Sequence, residues 1–147
     1  MIRLEESRID DALCETLIAF SKDWEKEDIS YGYIANGPEE FAGKRIFIAK
    51  DEEKTVAYLF GHEGKAESMA SAIGKGSRCF EVDEFYVVPA YRNKGIGKQL
   101  FRFVESRLEG FDHITLATST KDHKKILHFY IEEAGMKFHS AALFKKI

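Results

Sequence analysis

Three carboxylates interrupt an apolar run at 80–88, which reads Phe-Glu-Val-Asp-Glu-Phe-Tyr-Val-Val. The run has the composition of a β-strand, and side chains alternate across a strand. Glu81 and Asp83 are therefore expected on one face together with Phe85. Glu84 is expected on the opposite face. Because unpaired carboxylates are costly to bury, the face with two acids is predicted to be wet. Such acids suit general acid–base chemistry; the structural alternative is a solvated edge with ion pairs.

A basic turn with two glycines follows this run and leads directly into a helical pattern. Its sequence at 92–98 is Arg-Asn-Lys-Gly-Ile-Gly-Lys. A strand that enters such a turn at a helix N-terminus presents backbone N–H groups to an anion, and the basic side chains add positive charge. The turn lacks the third glycine of a dinucleotide fingerprint and the Ser or Thr that a P-loop offers to magnesium. We predict a site for another phosphorylated ligand; the alternative is a turn that binds nothing.

Strands and helices alternate around these two features. Hydrophobic periodicity predicts helices at 9–20, 98–108 and 126–134, and strands at 45–50, 55–60, 79–88, 113–118 and 138–144. The segment 63–77 contains three glycines and is interpreted as a loop. Alternating strands and helices indicate an α/β or α+β sheet with helices on both faces. No repeat or linker divides the chain, so a single domain over residues 1–147 is predicted.

Composition restricts the classes of partner. The chain has 22 basic and 25 acidic side chains, and a net charge of −3 does not favour nucleic acid. No apolar run reaches the ~18 residues that span a bilayer, and the charged N-terminal residues do not resemble a signal peptide. Cys14 and Cys79 lack CxxC spacing. We therefore expect a cytoplasmic protein with no metal site and no redox pair.

Two motifs carry a resemblance to a known family. Arg92-x-x-Gly95-x-Gly97 resembles the acetyl-CoA signature of the GNAT N-acetyltransferase superfamily, R/Q-x-x-G-x-G/A. The later segment 129–138, Phe-Tyr-Ile-Glu-Glu-Ala-Gly-Met-Lys-Phe, resembles the second family marker, F-Y-x-x-x-G-F, with Met136 in place of the aromatic residue. The motifs occur in the family's order, about one βαβ unit apart, and the resemblance covers essentially the whole chain.

The resemblance implies a fold and a co-substrate. The fold is a mixed, mostly antiparallel sheet of six to seven strands with splayed central strands and about four helices. The backbone N–H groups of 93–98 would bind the pyrophosphate of acetyl-CoA, and the pantetheine arm would lie along the backbone of 85–88. The cofactor-binding residues implied are Phe85, Tyr86, Val87, Val88, Arg92, Asn93, Lys94, Gly95, Ile96, Gly97 and Lys98.

The resemblance also implies direct transfer of the acetyl group to an amine. An alkyl ammonium of pKa ~10 must lose a proton before its nitrogen attacks a thioester. Glu81 is the expected base, Asp83 is expected to assist it, and Glu84 is the alternative base. Tyr130 occupies the position of the family's proton donor to the CoA sulfur. Its alternative role is packing, because it also lies on the apolar stripe of the last helix.

The segment after the first helix is expected to form a lip over the acceptor. It supplies Trp24, Glu27 and Tyr31, which together with Glu84 are the candidate substrate-binding residues. An aromatic and acidic lip suits a cationic small molecule such as an aminoglycoside or a polyamine. The alternatives are a protein lysine or N-terminal acetyltransferase and a non-catalytic CoA-binding regulatory module. A monomer and a homodimer both remain open.

Overall fold

A five-stranded sheet forms the centre of the computed structural model, which describes all of residues 1–147. The strands are β1 (Ile2–Ser7), β2 (Arg45–Asp51), β3 (Lys54–Gly64), β4 (Cys79–Val87) and β5 (His113–Thr115). They lie in chain order; the first four are antiparallel, and β5 is parallel to β4. The mixed, mostly antiparallel sheet that we expected is confirmed, with one or two strands fewer.

Three of the four helices lie between these strands in the chain, and the fourth follows β5. They are α1 (Asp11–Glu27), α2 (Ala70–Ile73), α3 (Ile96–Ser106) and α4 (His123–Leu127), and a π-helical segment, His128–Glu133, continues α4. Helix α1 begins where the carboxylate of Asp10 accepts the N–H of Leu13 at 2.7 Å, as an N-cap does. No helix combines the length and the apolar composition needed to cross a membrane.

Each face of the sheet carries its own apolar core. In β2, Phe47 enters the core beneath α3, whereas its neighbour Ile48 enters the core beneath α1. The two helices close these cores with buried side chains such as Leu100 of α3 and Leu17 of α1. Because β2 and β3 are covered on both faces, they are apolar at both alternating sets of positions.

The sheet opens between β4 and β5. Only Cys79–Glu81 of β4 pair with His113–Thr115, so the remaining residues of β4, 82–87, have no partner strand on that edge. The predicted strand at 113–118 is correspondingly short. This opening is the splay that the family resemblance implied.

The predicted closing strand at 138–144 does not form, and that prediction was wrong. The segment pairs with no strand, and the Leu143 and Phe144 side chains are 90% and 80% exposed. An isolated bridge joins the segment after α1 to the segment after β5, where Tyr31 N donates to Ser119 O and Lys121 N donates to Ile29 O, and residues 138–144 take no part in it. An apolar alternation alone predicts a strand, but a strand also needs backbone pairing with a neighbour.

The predicted faces of β4 also need correction. A β-bulge between Phe60 and Gly61 of β3 leaves Asp83 unpaired in the register, so the alternation shifts by one residue there. Val82 and Phe85 consequently both contact the α3-side core, and Glu84 lies on the α1 face with Asp83. Two consecutive carboxylates therefore share one face.

Candidate active site

A cavity of about 1190 Å³ occupies the opening between β4 and the segment 116–120. One wall is the unpaired stretch of β4, 82–87, and the glycine turn also lines the cavity. The segment 29–34, which connects α1 to the following turn, contributes further lining residues. The cavity therefore joins the predicted phosphate site to the predicted acceptor site.

The glycine turn leaves a row of backbone donors free. Asn93 and Gly95 have φ values of +61° and +81°, which turn successive N–H groups toward the same side. None of the six N–H groups from Asn93 to Lys98 donates to a protein acceptor, and α3 begins without a side-chain cap. A Cβ at Gly97 would lie 3.4 Å from the Phe129 ring, so the turn packs closely on the last helix. These donors fit the pyrophosphate of CoA.

The Arg92 side chain also lines the cavity, but its donors are used within the protein. Its guanidinium forms a bidentate ion pair with Glu27 at 2.6 and 3.0 Å, and its Nε donates to Val87 O at 2.8 Å. Tyr86 also donates to Glu27, at 2.7 Å. Burial raises the pKa of Glu27, but the hydrogen bonds from Arg92 and Tyr86 outweigh it and hold that pKa below its ordinary value. The network fastens α1 to the glycine turn, so neither charge is free for a ligand.

The aromatic residues of the predicted lip form a wall. Trp24 stacks on Tyr33 and Tyr86 with ring centroids 4.2 and 5.5 Å apart, and its indole N–H donates to Ser30 at 3.2 Å. Tyr31 differs, because its side chain is 53% exposed and lines the cavity. Trp24 therefore supports the predicted lip, and Tyr31 contributes to the cavity lining.

Glu84 is a mostly buried carboxylate in the cavity wall. Its Oε1 accepts hydrogen bonds from the hydroxyls of Tyr33 at 2.9 Å and Tyr58 at 3.0 Å, and no cation pairs with it. Burial raises the pKa of Glu84 above its ordinary value, although the phenolic hydrogen bonds oppose this effect. Burial also raises the pKa of both phenols, so they stay protonated and donate. Of the three acids of β4, Glu84 is the one that lines the cavity without a cation partner.

Asp83 and Glu81 lie in an ionic cluster beside it. Lys44 Nζ and His62 Nδ1 are each 2.8 Å from Asp83 Oδ2, and His62 Nε2 is 3.1 Å from Glu81 Oε2. Asp83 lines the cavity, but Glu81 does not. The ligand atoms of His62, Glu81 and Asp83 lie within 4.8 Å of one another and are the set that could hold a metal. The Lys44 ammonium already supplies positive charge to that set.

Tyr130 lies in the cavity wall opposite β4. It is in the π-helical segment, in which Ala134 N donates to Phe129 O at 2.8 Å. Four residues separate Tyr130 from Gly135, one more than in the family marker, and a π turn accommodates such an extra residue. The Tyr130 ring packs on Phe101, and burial raises the pKa of Tyr130 to about 12. Its hydroxyl therefore stays protonated at neutral pH.

Sequence reasoning missed four residues that set the electrostatics of the acids. Tyr33 and Tyr58 hold Glu84, while Lys44 and His62 hold Asp83. Tyr58 and His62 lie on β3. Pairing the predicted hairpin with the next strand could therefore have placed them beside the acids of β4. Lys44 and Tyr33 lie outside the strands; Tyr33 belongs to the segment that was expected to form the lip, whereas no motif marked Lys44.

The comparisons with known proteins agree with this geometry. A sheet that splays beside a glycine turn with free N–H groups defines an α/β domain that binds a phosphorylated co-substrate. The chain belongs to the acetyltransferase (GNAT) family, whose model matches residues 9–136. It is thus an N-acetyltransferase, and the resemblance stated from the two motifs is confirmed. No curated protein matches the sequence.

Several solved structures share the fold. The aminoglycoside acetyltransferase meta-AAC0020 from an uncultured soil metagenomic sample, in complex with sisomicin, has a TM-score of 0.70 at 14% identity over 99% of this chain and 95% of that one. AAC(6')-Iy, in complex with the bisubstrate analogue CoA-S-monomethyl-acetylneamine, has a TM-score of 0.67 at 14% identity over 100% and 98%. An acetyltransferase of Trypanosoma brucei has a TM-score of 0.64 at 15% identity over the full length of both chains.

Proposed function

We propose that this N-acetyltransferase transfers the acetyl group of acetyl-CoA to the primary amine of a small molecule, by direct attack within a ternary complex. One observation carries the proposal: a single cavity is lined both by the glycine turn, whose N–H groups at 93–98 are free, and by Glu84, whose carboxylate has no cation partner. The first set suits the pyrophosphate of the co-substrate, and the second suits an ammonium group.

Glu84 is the base in this proposal. An ammonium docked against Glu84 transfers a proton to it, and the neutral nitrogen then attacks the thioester carbonyl carbon. A base of raised pKa is a better match to an amine than an ordinary carboxylate. Asp83, held by Lys44 and His62, orients the acceptor beside it. The expectation that Glu81 itself takes the proton stays a prediction, and a direct comparison of the three acids tests it.

Tyr130 is the proposed donor to the leaving group. When the C–S bond breaks, the CoA sulfur becomes a thiolate, and the nitrogen of the new amide gives up its second proton to solvent. The Tyr130 hydroxyl, which makes no hydrogen bond within the protein, is free to donate a hydrogen bond to the thiolate. Because a thiol of pKa ~8.5 is a stronger acid than this phenol, the donation stabilises the thiolate by a hydrogen bond before solvent completes the protonation.

The acceptor distinguishes the proposal from its alternatives. Release of CoA thiol should be measured with an aminoglycoside, a polyamine, hydrophobic monoamines and a lysine peptide. Turnover with a small amine and none with the peptide supports a small-molecule enzyme. CoA that raises the melting temperature without any turnover would indicate a regulatory module. At 100-fold excess over its Kd, a ligand adds ~2.7 kcal/mol to the free energy of unfolding.

The remaining features of the proposal concern the whole protein. We propose a single domain over residues 1–147, a monomer or homodimer, with no nucleic-acid or membrane partner and no metal. The two cysteines, Cys14 and Cys79, are unpaired, which suits the proposed cytoplasmic location.

A further inference from the structure

We infer that Tyr33 is a positioning residue for the proposed base: together with Tyr58 it occupies one oxygen of Glu84 and leaves the other oxygen as the atom that takes the proton. This inference rests on the proposed function, because it concerns the carboxylate that serves as base there. Two observations carry it. The hydrogen bonds to Glu84 are distributed unequally between its two oxygens, and one of the two donors belongs to a segment that lines the cavity.

The two oxygens of Glu84 differ in their hydrogen bonds. Oε1 accepts the hydroxyls of Tyr33 at 2.9 Å and Tyr58 at 3.0 Å, whereas no protein group donates a hydrogen bond to Oε2. A carboxylate oxygen offers about two acceptor sites, so the two phenols fill those of Oε1. A proton that arrives from an ammonium therefore adds to Oε2, and both phenols keep their hydrogen bonds to Oε1.

The two donors lie in different parts of the molecule. Tyr58 is on β3 and is fully buried in the core beneath α1, so the sheet fixes its hydroxyl. Tyr33 is in the segment after α1, and its side chain lines the cavity. Trp24 stacks on the Tyr33 ring with centroids 4.2 Å apart and an interplanar angle of 11°, which fixes the plane of that ring. Tyr33 is thus the donor through which the cavity-lining segment orients the base.

The other groups around Glu84 do not replace these donors. Burial raises the pKa of Glu84, the Asn36 amide and the two phenols oppose that effect, and the carboxylate of Glu40 adds to it. The Asn36 Nδ2 lies near Glu84 but outside hydrogen-bond geometry, since it has no hydrogen-bond partner in the protein. The charged side chains beside Glu84 on the same face of the sheet are paired with one another; they are Asp83, Lys44 and His62. Hydrogen bonds from neutral hydroxyls, and not an ion pair, therefore hold the ionised form of Glu84.

Tyr33→Phe tests the inference, because it removes the hydroxyl and keeps the ring that stacks on Trp24. A hydrogen bond to the ionised carboxylate is lost, so the midpoint at which Glu84 titrates should rise by about one pH unit. The measurement is carboxyl 13C NMR of the free protein across pH, with EDTA present so that no metal binds beside Glu84. The Glu84 signal is the one that disappears in Glu84→Gln. An unchanged or lowered midpoint would overturn the inference.

Infrared difference spectroscopy tests which oxygen takes the proton. If the proton adds to Oε2, the carbonyl oxygen of protonated Glu84 is Oε1, and its stretching frequency should rise when Tyr33→Phe removes one hydrogen bond from it. If the proton adds to Oε1, the carbonyl oxygen is Oε2, which no phenol contacts. A frequency that Tyr33→Phe leaves unchanged would refute the assignment of Oε2.

A second variant and a matched control make the test specific. Fluorotyrosine in place of Tyr33 has nearly the same size and a more acidic hydroxyl, so it donates a stronger hydrogen bond and should lower the midpoint of Glu84. This variant keeps the test decisive where Tyr33→Phe folds poorly. Tyr31→Phe is the control, because it removes a hydroxyl from the same segment and Glu84 accepts no hydrogen bond from Tyr31. A rise in Tyr31→Phe as large as that in Tyr33→Phe would contradict the inference.

Kinetics separates this inference from the proposed reaction. If both hold, kcat/KM for release of CoA thiol should fall about tenfold in Tyr33→Phe at pH values below the Glu84 midpoint and recover at higher pH, because the ionised fraction changes by that factor. A raised NMR midpoint with an unshifted kinetic pH profile would support positioning by Tyr33 and refute Glu84 as the base. An unmoved NMR midpoint, with a pH dependence that Glu84→Gln abolishes, would refute the inference and support the proposed base.

Discussion

Replacing Glu84 by Gln tests two consequences of burying a carboxylate in the cavity wall: its ability to accept a proton and its cost in stability. Glutamine has nearly the same shape, and its oxygen can still accept the hydroxyls of Tyr33 and Tyr58, which lie 2.9 and 3.0 Å from the carboxylate. It cannot accept a proton from the acceptor ammonium. We therefore expect kcat/KM to fall by roughly 10²–10⁴, the usual contribution of a general base, which corresponds to ~2.7–5.4 kcal/mol.

The same variant should be more stable than the wild type at neutral pH. The folded protein raises the pKa of Glu84 above its ordinary value of 4.5. At pH values between 4.5 and that raised pKa, the folded state therefore binds more protons than the unfolded chain. The Glu84 carboxylate consequently destabilises the fold as pH rises through that window, and the full effect is present above it. Gln carries no such cost. Each 1 kcal/mol gained should raise the melting temperature by ~2–4 °C, and the gain should disappear below about pH 4.

The assay is steady-state release of CoA thiol across pH, together with urea unfolding at neutral and acidic pH. Wild-type kcat/KM should rise as pH increases through the elevated pKa of Glu84. The residual kcat/KM of Glu84→Gln should not show this rise with pH. Glu81→Gln and Asp83→Asn are the matched controls. If Glu81→Gln causes the larger loss and Glu84→Gln remains active, the assignment to Glu84 is refuted and the prediction made from sequence stands.

Three further substitutions test other parts of the site. Gly97→Trp should abolish the CoA-induced rise in melting temperature, because even a Cβ there lies 3.4 Å from the Phe129 ring; retained CoA affinity would overturn the phosphate site. Tyr130→Phe should lower kcat at least about tenfold with little change in KM for acetyl-CoA, and an unchanged kcat would restrict Tyr130 to packing. Glu27→Gln should lower the free energy of unfolding by ~1.5–3 kcal/mol by breaking the Arg92 pair. Because the folded state lowers the pKa of Glu27, this difference should shrink as urea unfolding is repeated at increasingly acidic pH.

The parts of the fold that depend on local sequence were predictable. Helix α3 and the turn before it follow from glycines, basic residues and an apolar stripe within a short stretch of chain. Strand β1 was not predicted, because its residues Arg3, Glu5 and Glu6 are polar and it is held by pairing with β2. The segment 138–144 failed for the opposite reason: its own pattern suits a strand, but its backbone pairs with no other strand.

The candidate site was predictable in its residue types but not in its geometry. The acids of β4 and the tyrosine of the second marker are visible in the sequence, yet their partners Lys44 and Tyr33 come from distant segments. Two residues that form an ion pair or hydrogen bond from about 40–50 positions apart do not follow a helix or strand period. The sequence pattern therefore does not predict the contact. The electrostatic distinction between Asp83 and Glu84 therefore required the tertiary structure.

Two single-residue irregularities set the chemistry of the cavity. The β-bulge at Asp83 turns two consecutive carboxylates to one face, so that one is neutralised by Lys44 while its neighbour stays without a cation. The π turn after α4 accommodates one extra residue and keeps Tyr130 packed on Phe101. Both irregularities break the periodicity from which strands and helices are predicted, and both lie in the cavity wall. Interpretation by strict alternation consequently fails at positions that line the cavity.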